Sequence, residues 1–251
     1  MDLFKRDLLR ALNSRYMQVG ALLTFISGVV LSLLIGSNYK IGISIFGNLT
    51  TYKTLEEIAL NGIDYRKGIG LLITILVSVF ISQDYQYKTW QQPIHAGNSR
   101  VKIYFCRLLF SLLTGMLIFL SYEIPVYIIS ILLGEKILFY NIVSILCKGM
   151  IIYFVIPCTV TCLAISIKNH MLSVLISIIY ILFEQDLTRF ILNILSRINL
   201  DELIGRFTLT EIGLFAKSTG LELVPNMIVS GFVVFIITAL IGIVLFNRQE
   251  L

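Results

Sequence analysis

The side chains that could carry out chemistry are few and far apart in this chain. Cys158 and Cys162 would share a helix face, but no histidine or carboxylate stands close enough to complete a zinc site with them. His95 and His170 each fall in a polar stretch between apolar runs. The sequence contains no Walker A, H-E-x-x-H or G-x-S-x-G pattern. We therefore expect no enzymatic activity, no metal and no cofactor on this chain.

Acidic residues inside apolar runs form a second group. Glu123 stands in the sequence SYEIPVY, two residues before Pro125, whereas Glu184 and Asp186 interrupt a later run. A charged group inside a membrane is costly and usually faces a partner or a water-filled cavity. These four residues are candidates for a transport path. For Glu123 the alternative is a structural position near the outer membrane boundary.

The polar stretch 82–102, SQDYQYKTWQQPIHAGNSRVK, lies between two apolar runs and holds the one tryptophan of the chain. We predict a short helix over 88–92 that ends at Pro93, and a cap for the next helix at Asn98 or Ser99. Trp90 is expected at an exposed tip, because a tryptophan among hydrogen-bonding side chains is typical of a protein–protein contact.

The elements around these residues are set by hydropathy. Of the 251 residues 57% are hydrophobic and 14% charged, and the mean hydropathy is +0.88. Soluble domains carry about 25% charged residues, so the chain is predicted to be an integral membrane protein. We predict an all-α fold in one transmembrane domain, 1–251, and expect the first span to be retained. The six predicted spans are 17–35, 68–84, 103–133, 142–167, 171–183 and 228–246.

The connecting segments predict further helices and an orientation. Residues 1–16 form an amphipathic pattern typical of a helix at the membrane surface. Capping boxes at 54–57 and 208–211 predict short helices on the outer side, and 187–216 continues the short fifth span as broken, amphipathic helices. Basic residues are denser in the segments of the N-terminal side, which favours cytoplasmic termini in the cell membrane. The net charge of +5 is thus attributed to topology and not to nucleic-acid binding.

The segment DYQYKTWQQPIHAGNSRVKIYFCRLL resembles the first cytoplasmic loop of ABC-2 type permeases, the membrane subunits of ATP-binding-cassette exporters. That loop has an acid, a Gly/Lys-Thr pair, a hydrophobic or glycine stretch, Ser-Arg and then a basic residue. The matching positions in this chain are Asp84, Lys88-Thr89, Gly97, Ser99-Arg100 and Arg107. Asp84 replaces the usual glutamate, Lys88 the commoner glycine and Arg107 the commoner lysine. The pattern is most similar to permeases that export, or give immunity to, peptide toxins and bacteriocins, including phenol-soluble-modulin exporters.

The resemblance implies that the loop 85–102 carries a coupling helix. This helix would dock on a separate ATPase subunit, which would bind ATP and Mg²⁺. Two permease copies, identical or paralogous, would assemble with two ATPases and move amphipathic or hydrophobic peptides out of the cell or membrane. The residues implied to contact the ATPase are Asp84, Lys88, Thr89, Trp90, Gln91, Gln92 and Arg100.

A channel or a secondary transporter subunit that is not coupled to ATP is the alternative reading of the sequence. Such a protein needs ionisable groups inside the membrane for ion coupling. Only Glu123 is clearly placed for that role by the sequence.

Overall fold

The computed structural model describes residues 5, 9, 13–37, 41–45, 48–52, 54–134, 138–198, 201–217, 221–222 and 224–249. The helices and strands in these ranges are α1 (Arg15–Gly36), β1 (Ile41–Ile45), β2 (Asn48–Tyr52), α2 (Leu55–Ile63), α3 (Ile69–Gln86), α4 (Gln91–His95), α5 (Arg100–Leu132), α6 (Phe139–Ser166), α7 (His170–Leu195), a 3-10 turn (Ser196–Ile198), α8 (Asp201–Gly205), α9 (Leu209–Lys217) and α10 (Val224–Asn247).

Six of these helices are long and apolar enough to cross a membrane: α1, α3, α5, α6, α7 and α10. The prediction of six spans is therefore confirmed, and most predicted ends lie within a few residues of the observed ones. The predicted interfacial helix at 1–16 falls almost wholly outside the described residues.

The fifth span departs from the prediction of a short, broken element. α7 runs without interruption from His170 to Leu195, so the acidic residues at 184 and 186 do not end it. The reason is that the Glu184 carboxylate is buried and its oxygens accept hydrogen bonds from other side chains and a backbone N–H. The break comes later, at the 3-10 turn of Ser196–Ile198.

The centre of the bundle is built by α5 and α6, the two most buried spans. α1 packs along α5, α10 along α6, and α3 lies against α5, α6 and α7. Small residues allow the close approach of α1 to α5, because a Cβ on Gly28 would lie 2.7 Å from the Tyr122 carbonyl oxygen. In a membrane, where the hydrophobic effect between helices is weak, such backbone contact is a main source of packing energy.

The fold is all-helical as predicted, with one short two-stranded hairpin beside the helices. β1 and β2 pair antiparallel, with Ile41 opposite Tyr52 and Ile45 opposite Asn48. The alternating sequence IGISI of β1 has the period of two that a strand requires, but it is too short to indicate a barrel. The hairpin lies between α1 and α2 and leaves the membrane-crossing part helical.

The short helices α2 and α9 both begin with the predicted caps. The Thr54 hydroxyl accepts a hydrogen bond from the Glu57 N–H at 3.3 Å, and the Thr208 hydroxyl accepts one from the Glu211 N–H at 3.2 Å. Neither helix lies freely on the surface, however. Their apolar faces are buried against the bundle through Leu55, Ile58, Ala59, Ile63, Leu209, Ile212 and Ala216. We call this the cap end of the bundle, and the end that carries α4 the loop end.

Candidate functional site

The loop between α3 and α5 makes two tight turns around the short helix α4. Lys88 adopts a left-handed backbone with φ of 53°, and Gly97 does so with φ of 81°. α4 spans Gln91–His95 and not the predicted 88–92. Pro93 lies inside it and does not end it, because the first turn of a helix tolerates a residue without an N–H.

A buried ion pair joins the two helices that flank the loop. Arg107 Nε of α5 lies 3.0 Å from Asp84 Oδ2 of α3, and the two side chains are 2% and 0% exposed. The Thr89 hydroxyl donates a short hydrogen bond to Asp84 Oδ1, and the Thr89 N–H donates to the Asp84 carbonyl at 3.0 Å. One carboxylate thus holds both the arginine of α5 and the turn that follows α3.

Trp90 is buried, which contradicts the expectation of an exposed tip. Its side chain is 1% exposed, and its ring centre lies 4.7 Å from Phe246 of α10 and 5.5 Å from Tyr85. The Arg107 guanidinium carbon lies 5.4 Å from the same ring centre, within the range of a cation–π interaction. Trp90 therefore fills the space between the loop, α3 and α10, and does not offer its ring to a partner.

The C-terminal end of α10 is held to the loop by hydrogen bonds. Arg100 Nη1 donates to the carbonyls of Asn247, at 3.0 Å, and Gln249, at 2.6 Å. The Tyr85 hydroxyl donates to Gln249 Oε1 at 2.7 Å, and Gln249 Nε2 donates to the Ile165 carbonyl at 2.6 Å. Gln249 thus ties α3, α6 and α10 together, and no motif in the sequence marked it.

The exposed part of the loop, which we call the exposed strip, has Tyr87 as its large apolar member at 66% exposed. It is formed by Gln86, Tyr87, Lys88, Gln92, His95, Ala96, Gly97 and Ser99. Lys88 and Gln92 were among the predicted contact residues, whereas Tyr87 and His95 were not. Of the other predicted residues, Asp84 and Trp90 are buried, and Thr89, Gln91 and Arg100 are partly buried. The helix that begins at Arg100 is capped by Ser99, whose hydroxyl accepts from the Lys102 N–H at 3.3 Å.

At the cap end, Glu184 is the centre of a hydrogen-bonded cluster. Its two oxygens accept from the Tyr65 hydroxyl at 2.7 Å, the Thr188 hydroxyl at 2.9 Å, the Thr210 N–H at 3.0 Å and the Thr210 hydroxyl at 2.8 Å. Burial, followed by the nearby Glu184 carboxylate, raises the pKa of the Tyr65 hydroxyl above its ordinary value. The cluster pins α9 and the turn before α3 onto α7. Asp186, two residues on, is exposed.

Glu123 lies at the same end of the bundle and is 0% exposed. Neither of its carboxyl oxygens makes a hydrogen bond of good geometry among the described residues, and the Tyr127 hydroxyl is the donor that lies near it. Pro125, which lies inside α5, packs against α1 close to Gly28. The four residues predicted for a transport path thus have different surroundings. Glu184 accepts four hydrogen bonds and Asp186 is exposed. Glu123 is fully buried, and Pro125 packs against α1.

Comparison with known proteins gives no family for the chain. A scan against models of protein families finds no match, and a search of curated proteins finds no significant similarity. The functional conclusion therefore depends on the residues of the loop and of the cap end.

Proposed function

We propose that this chain is the membrane-spanning permease subunit of an ATP-driven exporter of the ABC-2 type, with ATP hydrolysis on a separate subunit. The observation that carries the proposal is the loop between α3 and α5. It projects a short exposed strip while a buried ion pair fixes its base. An exposed strip on a fixed base is suited to bind a partner subunit whose movement is passed on to α3 and α5.

The positions that resemble the ABC-2 loop each have a physical role in this chain. Lys88, where the family commonly has glycine, has a left-handed backbone, and so does Gly97. This conformation favours glycine because a Cβ is crowded there. Ser99 caps α5, and Asp84 pairs with Arg107. These agreements support the resemblance, because each matching residue is used for the backbone conformation, the helix cap or the ion pair of the loop.

The Asp84–Arg107 ion pair, which we call the clamp, also links the loop mechanically to the helices on either side of it. Any displacement of the loop must carry the ends of α3 and α5 with it, because separating the Asp84–Arg107 pair would leave a buried charge without its partner. The bonds from Arg100 and Gln249 extend the connection to α10 and α6. A subunit docked on the strip would therefore act on four spans together.

The remaining parts of the proposal follow from the resemblance. The assembly would contain two permease copies, identical or paralogous, and two ABC ATPases bound to Mg²⁺ and ATP. The cargo would be an amphipathic or hydrophobic peptide, such as a toxin or antimicrobial peptide, exported or removed from the membrane. The loop end would face the cytoplasm of the cell, together with both termini.

Co-purification with an ATPase tests the proposal. The chain is expressed with the ABC ATPases of its source organism, and the retained ATPase and its ATP turnover are measured. We expect the double variant Tyr87→Ala/Lys88→Glu to lower the retained ATPase by about tenfold or more, the size of a lost interface anchor. Trp90→Ala is unsuitable for this purpose, because it would empty a buried site and destabilise the loop.

A matched control is Lys168→Glu, which makes the same charge change at an exposed position after α6. We expect it to retain the ATPase. The proposal is wrong if the wild-type chain retains no ABC ATPase, or if the Tyr87/Lys88 variant retains as much as the control and supports the same turnover.

The buried Glu123 is the observation that favours the alternative, a transporter or channel subunit without ATP coupling. The two functions respond differently to energy sources. Dissipating the proton gradient while ATP is maintained should stop a proton-coupled transporter and spare an ATP-driven exporter. Cargo movement in membrane vesicles measures the difference.

A further inference from the structure

Glu123 is enclosed on every side by the cap end of the bundle. It lies on α5 beneath the last turn of α2, so close to Gly62 that no Cβ could be placed on that glycine without meeting a carboxyl oxygen. The side chain has no exposed surface, and neither oxygen makes a hydrogen bond of good geometry in the described part of the chain; the Tyr127 hydroxyl is the donor that lies near it. A buried polar group without partners is destabilising, and a buried charge is far more so.

The end of α2 above Glu123 is an unfavourable place for a negative charge. The carbonyls at a helix C-terminus carry partial negative charge. Two carbonyls of α2 already accept from tyrosines: Tyr122 donates to Ile58, in the middle of the helix, at 3.1 Å, and Tyr153 donates to Gly62, in its last turn, at 2.6 Å. These two hydroxyls are thus committed to α2, so an ionised Glu123 would lose its hydration and gain little from them in return.

The titratable and charged groups around Glu123 come from three elements. α5 contributes Tyr127 and Tyr122, and α6 contributes Tyr153; Glu56 of α2 lies near Tyr127, and Asp64, the residue after α2, lies near Tyr153. α1, which also packs here, has no ionisable residue after Tyr16. The cations of Lys67 and Arg107 pair with other acids, Asp64 and Asp84. The neighbours are therefore mainly neutral hydroxyls and acids.

We propose that Glu123 is a proton-binding site that controls α2. With the proton bound, the neutral acid can donate a hydrogen bond and lets α2 close over it. When the proton leaves the carboxyl oxygen for water, the carboxylate needs hydration, and α2 must lift from α5 to admit it. This inference does not depend on the proposed export function, since it concerns the cap end and a proton as the ligand.

Thiol labelling of α2 tests the link between the proton and the helix. Ala59, which is 0% exposed on α2, is changed to cysteine in the full chain after its four native cysteines are replaced by alanine. The labelling rate by a water-soluble maleimide is measured in micelles between pH 6 and pH 9, with Glu123 and with Glu123→Gln. We expect the ratio of the two rates to rise with pH, by up to about tenfold per unit, the limit for release of one proton.

The ratio removes the intrinsic pH dependence of the thiol, which is common to both chains. Tyrosine hydroxyls ordinarily stay protonated through this range, so they do not imitate the effect. A ratio that stays constant with pH would overturn the proposal.

A second measurement uses the chain with its native cysteines. A lipid-soluble carbodiimide reacts with buried carboxylic acids that carry a proton, and mass spectrometry locates the adduct. We expect the adduct at Glu123 in preference to Glu184, whose oxygens are occupied by four hydrogen bonds. An unmodified Glu123, or equal reaction at both glutamates, would also overturn the proposal.

Discussion

Glu184 and Glu123 are two buried glutamates at one end of the same bundle, and they have opposite surroundings. Glu184 is 2% exposed and accepts four hydrogen bonds, from Tyr65, Thr188 and Thr210. Glu123 is 0% exposed, makes no hydrogen bond of good geometry with the described residues and has the Tyr127 hydroxyl near it. The comparison teaches that burial alone does not tell what an acid does in a membrane protein. Hydrogen-bond donors from distant parts of the chain decide whether the acid holds helices together or remains free to bind and release a proton.

Asp84 at the loop end extends the comparison to an acid that is paired with a full positive charge. We expect Arg107→Met to have the largest effect on stability, lowering the free energy of unfolding by about 3–5 kcal/mol, because it leaves Asp84 buried without its cation. Unfolding in detergent micelles followed by circular dichroism measures the change. The double variant Asp84→Asn/Arg107→Met should recover most of the loss. If the double variant is as unstable as the single one, packing and not charge holds the clamp.

Glu184→Met should have the second largest effect. It leaves the Tyr65 hydroxyl and two donors of Thr210 without an acceptor, for a loss of about 2–4 kcal/mol. Glu184→Gln keeps one acceptor oxygen. Its free energy of unfolding should therefore lie between those of Glu184→Met and the wild type in the same measurement. A stability equal to the wild type in Glu184→Met would show that the cluster does not hold α9 and α7 together.

Glu123→Met should have the smallest effect, within about 1 kcal/mol of the wild type or slightly stabilising. The substitution keeps the length of the side chain, removes a buried polar group and gives up at most the poorly aligned contact with Tyr127. A loss as large as that of Glu184→Met would mean that Glu123 has a partner of its own. The distinction between the two glutamates would then be lost.

The sequence predicted what depends on local pattern. Hydropathy gives the six spans, and the helix caps at Thr54, Thr208 and Ser99 follow from the residue type and its spacing to the next N–H. The fifth span was predicted too short, because an acid inside an apolar run was taken as the end of the helix. Whether that acid is tolerated depends on Thr210, which stands 26 residues further along the chain.

The site was less accessible to prediction for the same reason. The polar neighbours of Trp90 in sequence predict an exposed ring. The ring is instead buried against Phe246, which lies far along the chain at the end of α10. Lys88 and Gln92 are exposed as a docking role would require, and so is Tyr87, which is not among the predicted contact residues. Local composition does not indicate which loop residue a distant helix will cover.

The burial of Trp90 gives the molecule its own optical reporter. It is the one tryptophan in the chain, so the tryptophan fluorescence of the protein comes from this ring alone. The ring lies under the Arg107 guanidinium and between Tyr85 and Phe246, where helices α3, α5 and α10 meet. A change in emission wavelength or lifetime will therefore record the opening of this junction directly, with no label attached and no residue replaced.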